Sequence, residues 1–131
     1  MAQTIKMEWE HGFNGTLIAP NGTFAIGNES GKLLPYNMLF GALGSCFYST
    51  FLDIVEKKRL PLEGASIRIQ GTHREELPFT LNHVIMDIVI KATGNEEKYL
   101  RSIELSKKYC SIFTTVSQVA DIVVNVQFEA E

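Results

Sequence analysis

From Leu33 to Leu52 the chain carries no charged side chain, and Asp53 follows at once. A run of that length can span a bilayer on count alone. Asn37, Gly41, Gly44, Ser45, Ser49 and Thr50 dilute it, however, so a helix buried inside a protein core is the expected form. Pro35 suits the first turn of such a helix, where its missing N–H would have no partner anyway. Nearly every position from Met38 to Val55 is apolar or small, which predicts a helix hydrophobic all round and therefore covered. The late charges Glu56, Lys57, Lys58 and Arg59 place basic groups at the negative end of the helix dipole, and Pro61 stops the helix.

A chain of 131 residues fits one compact domain, residues 1–131, and has little material with which to wrap a helix of this kind. Part of the apolar surface is then left for another chain. Gly41, Ser45 and Ser49 form a small-residue stripe at i,i+4, with Gly44 beside it, which permits close backbone approach. An obligate, intertwined homodimer is the expected assembly.

The remaining composition is that of an ordinary soluble domain, 45% hydrophobic and 21% charged, which excludes disorder. Two cysteines are too few for a disulfide-dense secreted scaffold. Twelve basic against fifteen acidic side chains give a net charge of −3, with no basic excess to favour nucleic acid. Met1 to Glu10 already holds Lys6, Glu8 and Glu10, so it contains no apolar stretch of the signal-peptide type. A cytoplasmic location is expected, where thiols stay reduced unless they do redox work.

Alternation predicts the strands. Ile5, Met7 and Trp9 oppose Lys6, Glu8 and Glu10, a half-buried strand. Thr16–Ala19 and Thr23–Ile26 flank the turn Pro20-Asn21-Gly22. After the long helix, Ala65, Ile67 and Ile69 alternate with Ser66, Arg68 and Gln70, and Val84, Met86, Ile88 and Ile90 alternate with His83, Ile85 and Asp87. The polar bend between these two runs, which contains Leu77-Pro78, makes an antiparallel hairpin the natural pairing. Asn95 reads as the N-cap of a helix to about Tyr109, with Glu97/Arg101 and Glu104/Lys108 at i,i+4. A shorter helix from about Ser111 to Val119 precedes a last strand in which Ile122, Val124, Val126 and Phe128 face inward. The fold class is α+β with a mainly antiparallel sheet.

Chemistry rests on Cys46 and Cys110. Free cysteines are usually small buried hydrophobes, and that reading stands beside any functional one. Neither residue has the spacing of a zinc ligand pair, and His11, His73 and His83 are scattered, so no metal is expected. The separation in sequence neither supports nor excludes a disulfide. His83 and Asp87, four apart on one strand face, are given no role.

The context of the two cysteines resembles the family of osmotically inducible protein C and organic hydroperoxide resistance proteins (OsmC/Ohr). Pro35 lies eleven residues before Cys46, and Leu39-Phe40-Gly41-Ala42-Leu43-Gly44-Ser45-Cys46 follows on the apolar helix. Lys108-Tyr109-Cys110-Ser111-Ile112, then Val116-Ser117, lies where that family has its second cysteine motif. The resemblance covers essentially the whole chain. It implies an OsmC-like fold and an intertwined homodimer with active sites between subunits. It also implies a peroxidatic Cys46, a resolving Cys110 and no bound cofactor. The partners it implies are an external dithiol reductant and a small hydrophobic peroxide; from the charge balance and the diluted apolar run, neither nucleic acid nor membrane is expected. Met38, Phe47, Phe51 and Phe113 are candidates to line an apolar substrate pocket, although for each residue taken singly plain core packing is the stronger reading.

Two departures bear on activation. Catalytic members of the family carry an arginine in the N-terminal strand region, held by a glutamate after the proline. Here residues 1 to 58 hold no arginine, and Tyr36, Asn37 and Met38 follow Pro35. Many members read Cys-Pro where this chain has Cys110-Ser111. At its reference pKa of about 8.5 a thiol is only a few per cent thiolate at neutral pH. Arg68, Arg74, Arg101, Lys107 and Lys108 are the cations that could substitute.

Three functions follow. The first is a peroxidase reducing organic hydroperoxides through a Cys46–Cys110 disulfide, in defence against oxidative stress. The second is a non-catalytic dimer binding an apolar small molecule at its interface, and the third a thiol nucleophile for which one of the three histidines would have to act as base.

Overall fold

The computed structural model describes residues 4–130. Clustering of the backbone divides the chain into two compact units, Met1–Leu39 and Phe40–Glu131.

In the first unit β1 (Lys6–His11), β2 (Asn14–Ala19) and β3 (Gly22–Ile26) form an antiparallel meander in that order. Pro20 and Asn21 make the turn between Ala19 and Gly22, which face each other across the ladder. Lys32 ties the loop after β3 together, with its Nζ 2.8 Å from Asn14 Oδ1 and 2.7 Å from Glu29 Oε1. The alternation expected of β1 is present, but its apolar side is not covered within one chain. Ile5, Met7 and Trp9 are 44–48% exposed where half-burial was expected.

The long helix α1 (Pro35–Lys57) starts at the expected proline, and Asn37 Oδ1 accepts from the Leu34 N–H at 2.8 Å. By length and composition it could cross a membrane. Its burial within one chain is one-sided, in keeping with the expectation that part of its apolar surface is left uncovered. Leu43, Phe47, Phe51 and Val55, an i,i+4 row, are buried in the core of the second unit, whereas Tyr36, Leu39, Ser45 and Ser49 are exposed. The helix ends before Pro61. Leu60 N–H bonds to Val55 O and Arg59 N–H to Glu56 O, with Arg59 left-handed at φ 57°. That pair of bonds satisfies carbonyls the helix leaves open.

In the second unit β4 (Gly64–His73) and β5 (Leu81–Lys91) pair antiparallel. An exposed bend joins them. Arg74 spans it, donating from Nε to Pro78 O at 2.8 Å and from Nη2 to Leu77 O at 3.2 Å. After β5 come α2 (Glu96–Tyr109), α3 (Ser111–Ser117) and β6 (Asp121–Glu129). Two helices between consecutive strands bring the chain back in the same direction, so β6 lies parallel to β5, while the pairs β1–β2, β2–β3 and β4–β5 are antiparallel. β5 is central, and its Val84, Met86, Ile88 and Ile90 are buried. Ile122, Val124, Val126 and Phe128 pack against the same core from β6, as expected. α1 approaches the sheet closely at Gly44, where an added Cβ would stand 3.2 Å from Ile69 Cδ1.

Two local expectations need correction. Asn95 does precede α2, but it is left-handed (φ 58°) and its side chain makes no capping bond. Glu96 and Glu97 in the first turn meet the helix dipole instead. Glu104 pairs with Lys107 at 2.8 Å rather than with Lys108, and the described residues show no Glu97–Arg101 pair. One turn of helix offers both i,i+3 and i,i+4 partners, and Lys108 instead lies over the Tyr109 ring, 5.3 Å from its centroid.

Candidate functional site

Cys46 and Cys110 meet in the second unit. Cys46 lies in the middle of α1, one residue before Phe47 of the buried row. Cys110 is the hinge between two helices, ending α2 and starting α3 in an extended conformation (φ −76°, ψ 115°). Its N–H bonds to Ser106 O at 2.9 Å, and its carbonyl accepts from Thr114 N–H at 3.0 Å. The backbone at this corner is therefore fixed on both sides, and the side chain is fully buried.

The Cys110 thiol donates toward Cys46 Sγ at 3.2 Å, and Cys110 Sγ accepts from Phe113 N–H at 3.4 Å. Both cysteines are free. Their environments pull them apart. Burial pushes the Cys46 thiol up, but the backbone N–H of Ile112, the Cys110 thiol, and the hydroxyl and N–H of Ser111 together outweigh it and bring Cys46 below the ordinary thiol value. Burial pushes Cys110 up, and the facing Cys46 pushes the same way, against a partial offset from the N–H groups of Phe113 and Ile112. The less buried sulfur thus carries the negative charge more readily, and the buried one holds its proton.

Of the candidate pocket residues, Phe47 and Phe113 are neighbours, with ring centroids 5.5 Å apart, and Phe51 is buried in the same core. Met38 belongs to the first unit, upstream of Cys46 on the same helix.

None of the five candidate cations figures among the groups that shift Cys46. Arg68 lies opposite Asp87 in the ladder and alternates with Ile67 and Ile69, which pack on the core, so it projects from the other face of the sheet. Arg74 is committed to the hairpin bend, Lys107 to Glu104 and Lys108 to the Tyr109 ring. Arg101 is exposed on α2. His73, a candidate base, has Nδ1 2.8 Å from Arg74 O and its ring against Phe79. Among the described residues no three His, Cys, Asp or Glu side chains cluster as metal ligands.

Sequence reasoning missed Ser111 and Ile112. The signal was available: both follow Cys110 at the start of a helix, where backbone N–H groups lack helical partners.

Among solved structures, this fold is similar to a hypothetical protein from Aquifex aeolicus VF5, with a TM-score of 0.89, 23% identity, and coverage of 100% of this chain and 98% of that one. It is also similar to an OsmC-like protein from Mycoplasma pneumoniae, with a TM-score of 0.88, 16% identity and coverage of 98% and 97%. The organic hydroperoxide resistance protein OhrB of Bacillus subtilis matches with a TM-score of 0.72, 14% identity and coverage of 95% and 98%. No functionally curated protein matches the sequence significantly. The family model described as OsmC-like protein matches residues 27–125, which include both cysteines and most of the chain, and the chain belongs to that family.

Proposed function

We propose that this protein is a thiol peroxidase that reduces organic hydroperoxides, with Cys46 as the peroxidatic and Cys110 as the resolving residue. The observation that carries the reading is the 3.2 Å separation of the two sulfurs, combined with their opposite tendencies to ionise. Similar folds in proteins named for organic hydroperoxide resistance, from Bacillus subtilis and Legionella pneumophila, support it.

In the first step the Cys46 thiolate attacks the distal peroxide oxygen. The O–O bond breaks, the alkoxide leaves and takes a proton, and the products are an alcohol and a sulfenic acid on Cys46. Cys110 sulfur then attacks the sulfenic sulfur. An S–S bond forms and water leaves, carrying the sulfenic oxygen and the Cys110 proton. An external dithiol reduces the disulfide by exchange and is itself oxidised to a disulfide. The two electrons that reduce the peroxide thus come finally from that dithiol, and no bound cofactor enters the cycle.

The working form we propose is a homodimer in a reducing cytoplasm. The exposed apolar side of β1 and the exposed small-residue stripe Gly41, Ser45 and Ser49 on α1 are the surfaces a second copy would cover. The apolar core against which Cys46 packs would favour bulky organic peroxides over hydrogen peroxide.

The test is peroxide consumption by the full chain with dithiothreitol as reductant. Cumene hydroperoxide should be consumed at least tenfold faster than hydrogen peroxide. Consumption no faster than that of the Cys46→Ser variant would contradict the proposal and direct attention to an apolar ligand for an unreactive dimer.

A further inference from the structure

We propose that the Cys46–Cys110 pair is a chelating site for a trivalent organic arsenical, each sulfur giving one bond to a single arsenic atom. The inference goes beyond the peroxidase reading and does not rest on it, because it needs two reduced thiols and no peroxide.

Spacing selects the ligand. The two sulfurs stand 3.2 Å apart and both are free. A zinc ion, with bonds of about 2.3 Å at tetrahedral angles, holds two sulfurs about 3.8 Å apart. A linear copper(I) ion, which also favours thiolates, sets them on opposite sides of the metal and farther still. Trivalent arsenic keeps a lone pair, so its three bonds form a pyramid with angles close to a right angle. Bonds of the same length, about 2.3 Å, then place two sulfurs about 3.3 Å apart. The reduced pair already has that narrower spacing.

The number of donors agrees. Among the described residues no three His, Cys, Asp or Glu side chains gather as ligands, so the protein offers two sulfurs here and no third donor. An arsenical with one organic group needs only two, since that group fills the third position. Cys46 is partly buried and Cys110 fully, so arsenic bonds to Cys46 first and its organic group stays on the open side of that residue. Cys110 is held in place by its N–H on Ser106 O and its carbonyl on Thr114 N–H. Little ordering is left to do when the chelate closes.

Phenylarsine oxide enters as its hydrate, with two hydroxyls on arsenic. Two As–O bonds break and two As–S bonds form. Each hydroxyl leaves as water with one thiol proton, and arsenic stays trivalent throughout.

The experiment offers one equivalent of phenylarsine oxide to the reduced full chain in a large excess of glutathione, a monothiol competitor. Native intact mass and a free-thiol count are the readouts. One phenylarsenic group per chain should be retained with loss of both thiols, and 2,3-dimercaptopropanol should remove it and restore them. Cys46→Ser and Cys110→Ser each leave one sulfur, and in either the apparent affinity should fall by at least about a hundredfold. Zinc(II) in the same competition should be held no more tightly by the parent than by the variants. Circular dichroism confirms that each variant is folded.

A folded parent that keeps no arsenic, or keeps it no better than the single-cysteine variants, would overturn the inference. Zinc(II) held far more tightly by the parent would overturn it as well, since the spacing would then not select the ligand. Arsenic retained by a parent that consumes no peroxide would uphold the chelate and refute only the peroxidase reading.

Discussion

Cys46 Sγ and Cys110 Sγ stand 3.2 Å apart although 64 positions of chain separate them. The buried row of α1 fixes one sulfur, and the hydrogen-bonded corner between α2 and α3 fixes the other. A disulfide bond needs about 2.05 Å, so closing the gap takes a shift of roughly one ångström shared by two side chains.

Asymmetry between the sulfurs determines the pH profile. Burial raises Cys46, but the donors Ile112 N–H, Cys110 thiol and Ser111 outweigh it, so the folded thiol titrates below the ordinary range. The second-order rate constant with cumene hydroperoxide should rise with pH and reach its plateau over a lower pH interval than an unperturbed thiol would give. Cys110, raised by burial and by its neighbour, should add no second rise in that interval. Stopped-flow measurements across pH 5–10 check both features.

Removing the resolving thiol separates the two chemical steps. Cys110→Ser should keep a first turnover, with Cys46 sulfenic acid trapped by dimedone, and lose the disulfide. Excess peroxide should then drive Cys46 to sulfinic acid, whereas the parent is protected. Mass spectrometry of the Cys46 peptide distinguishes these products.

Phe47 couples the nucleophile's helix to the core. Its side chain is 1% exposed and its ring lies 5.5 Å from that of Phe113, so Phe47→Ala should cost about 3–5 kcal/mol in denaturant unfolding. The two phenylalanines touch, so the double variant Phe47→Ala/Phe113→Ala should cost less than the sum of the single changes.

Gly41 separates single-chain from assembly effects. An added Cβ there meets nothing within 4 Å in one chain. Gly41→Leu should thus leave the isolated fold intact, with a helix-propensity gain of up to about 1 kcal/mol. If a second copy packs on this stripe, the same change should reduce the dimer fraction in sedimentation velocity by tenfold or more. An unchanged dimer would place the interface elsewhere.

Much of this arrangement was legible from residue patterns. Alternation at Ile67 and Ile69, and the every-second-residue set Val84, Met86, Ile88 and Ile90, revealed β4 and β5, because the side chains of one face of each pack on the core. The apolar run around Leu43 revealed α1, but amphipathicity gives no guide to a helix that is apolar on every side, so which row faces the core was hidden. The parallel pairing of β6 depends on how α2 and α3 carry the chain back, a long-range matter that strand alternation does not encode. Asn95 has a residue type that caps helices and also one that tolerates left-handed backbone, and the fold uses the second property. The cysteines stood out by motif. Their proximity, and the donors from Ser111 and Ile112, depend on the turn at Cys110 and were not readable from spacing.

The most direct test of the central claim is the intact mass and free-thiol count of the reduced protein before and after one equivalent of cumene hydroperoxide. The account predicts loss of both thiols and of two hydrogens from the mass, with a single Cys46–Cys110 linked peptide pair on digestion and no change in the Cys46→Ser variant. Two thiols that survive the peroxide, in protein shown to be folded, would contradict it.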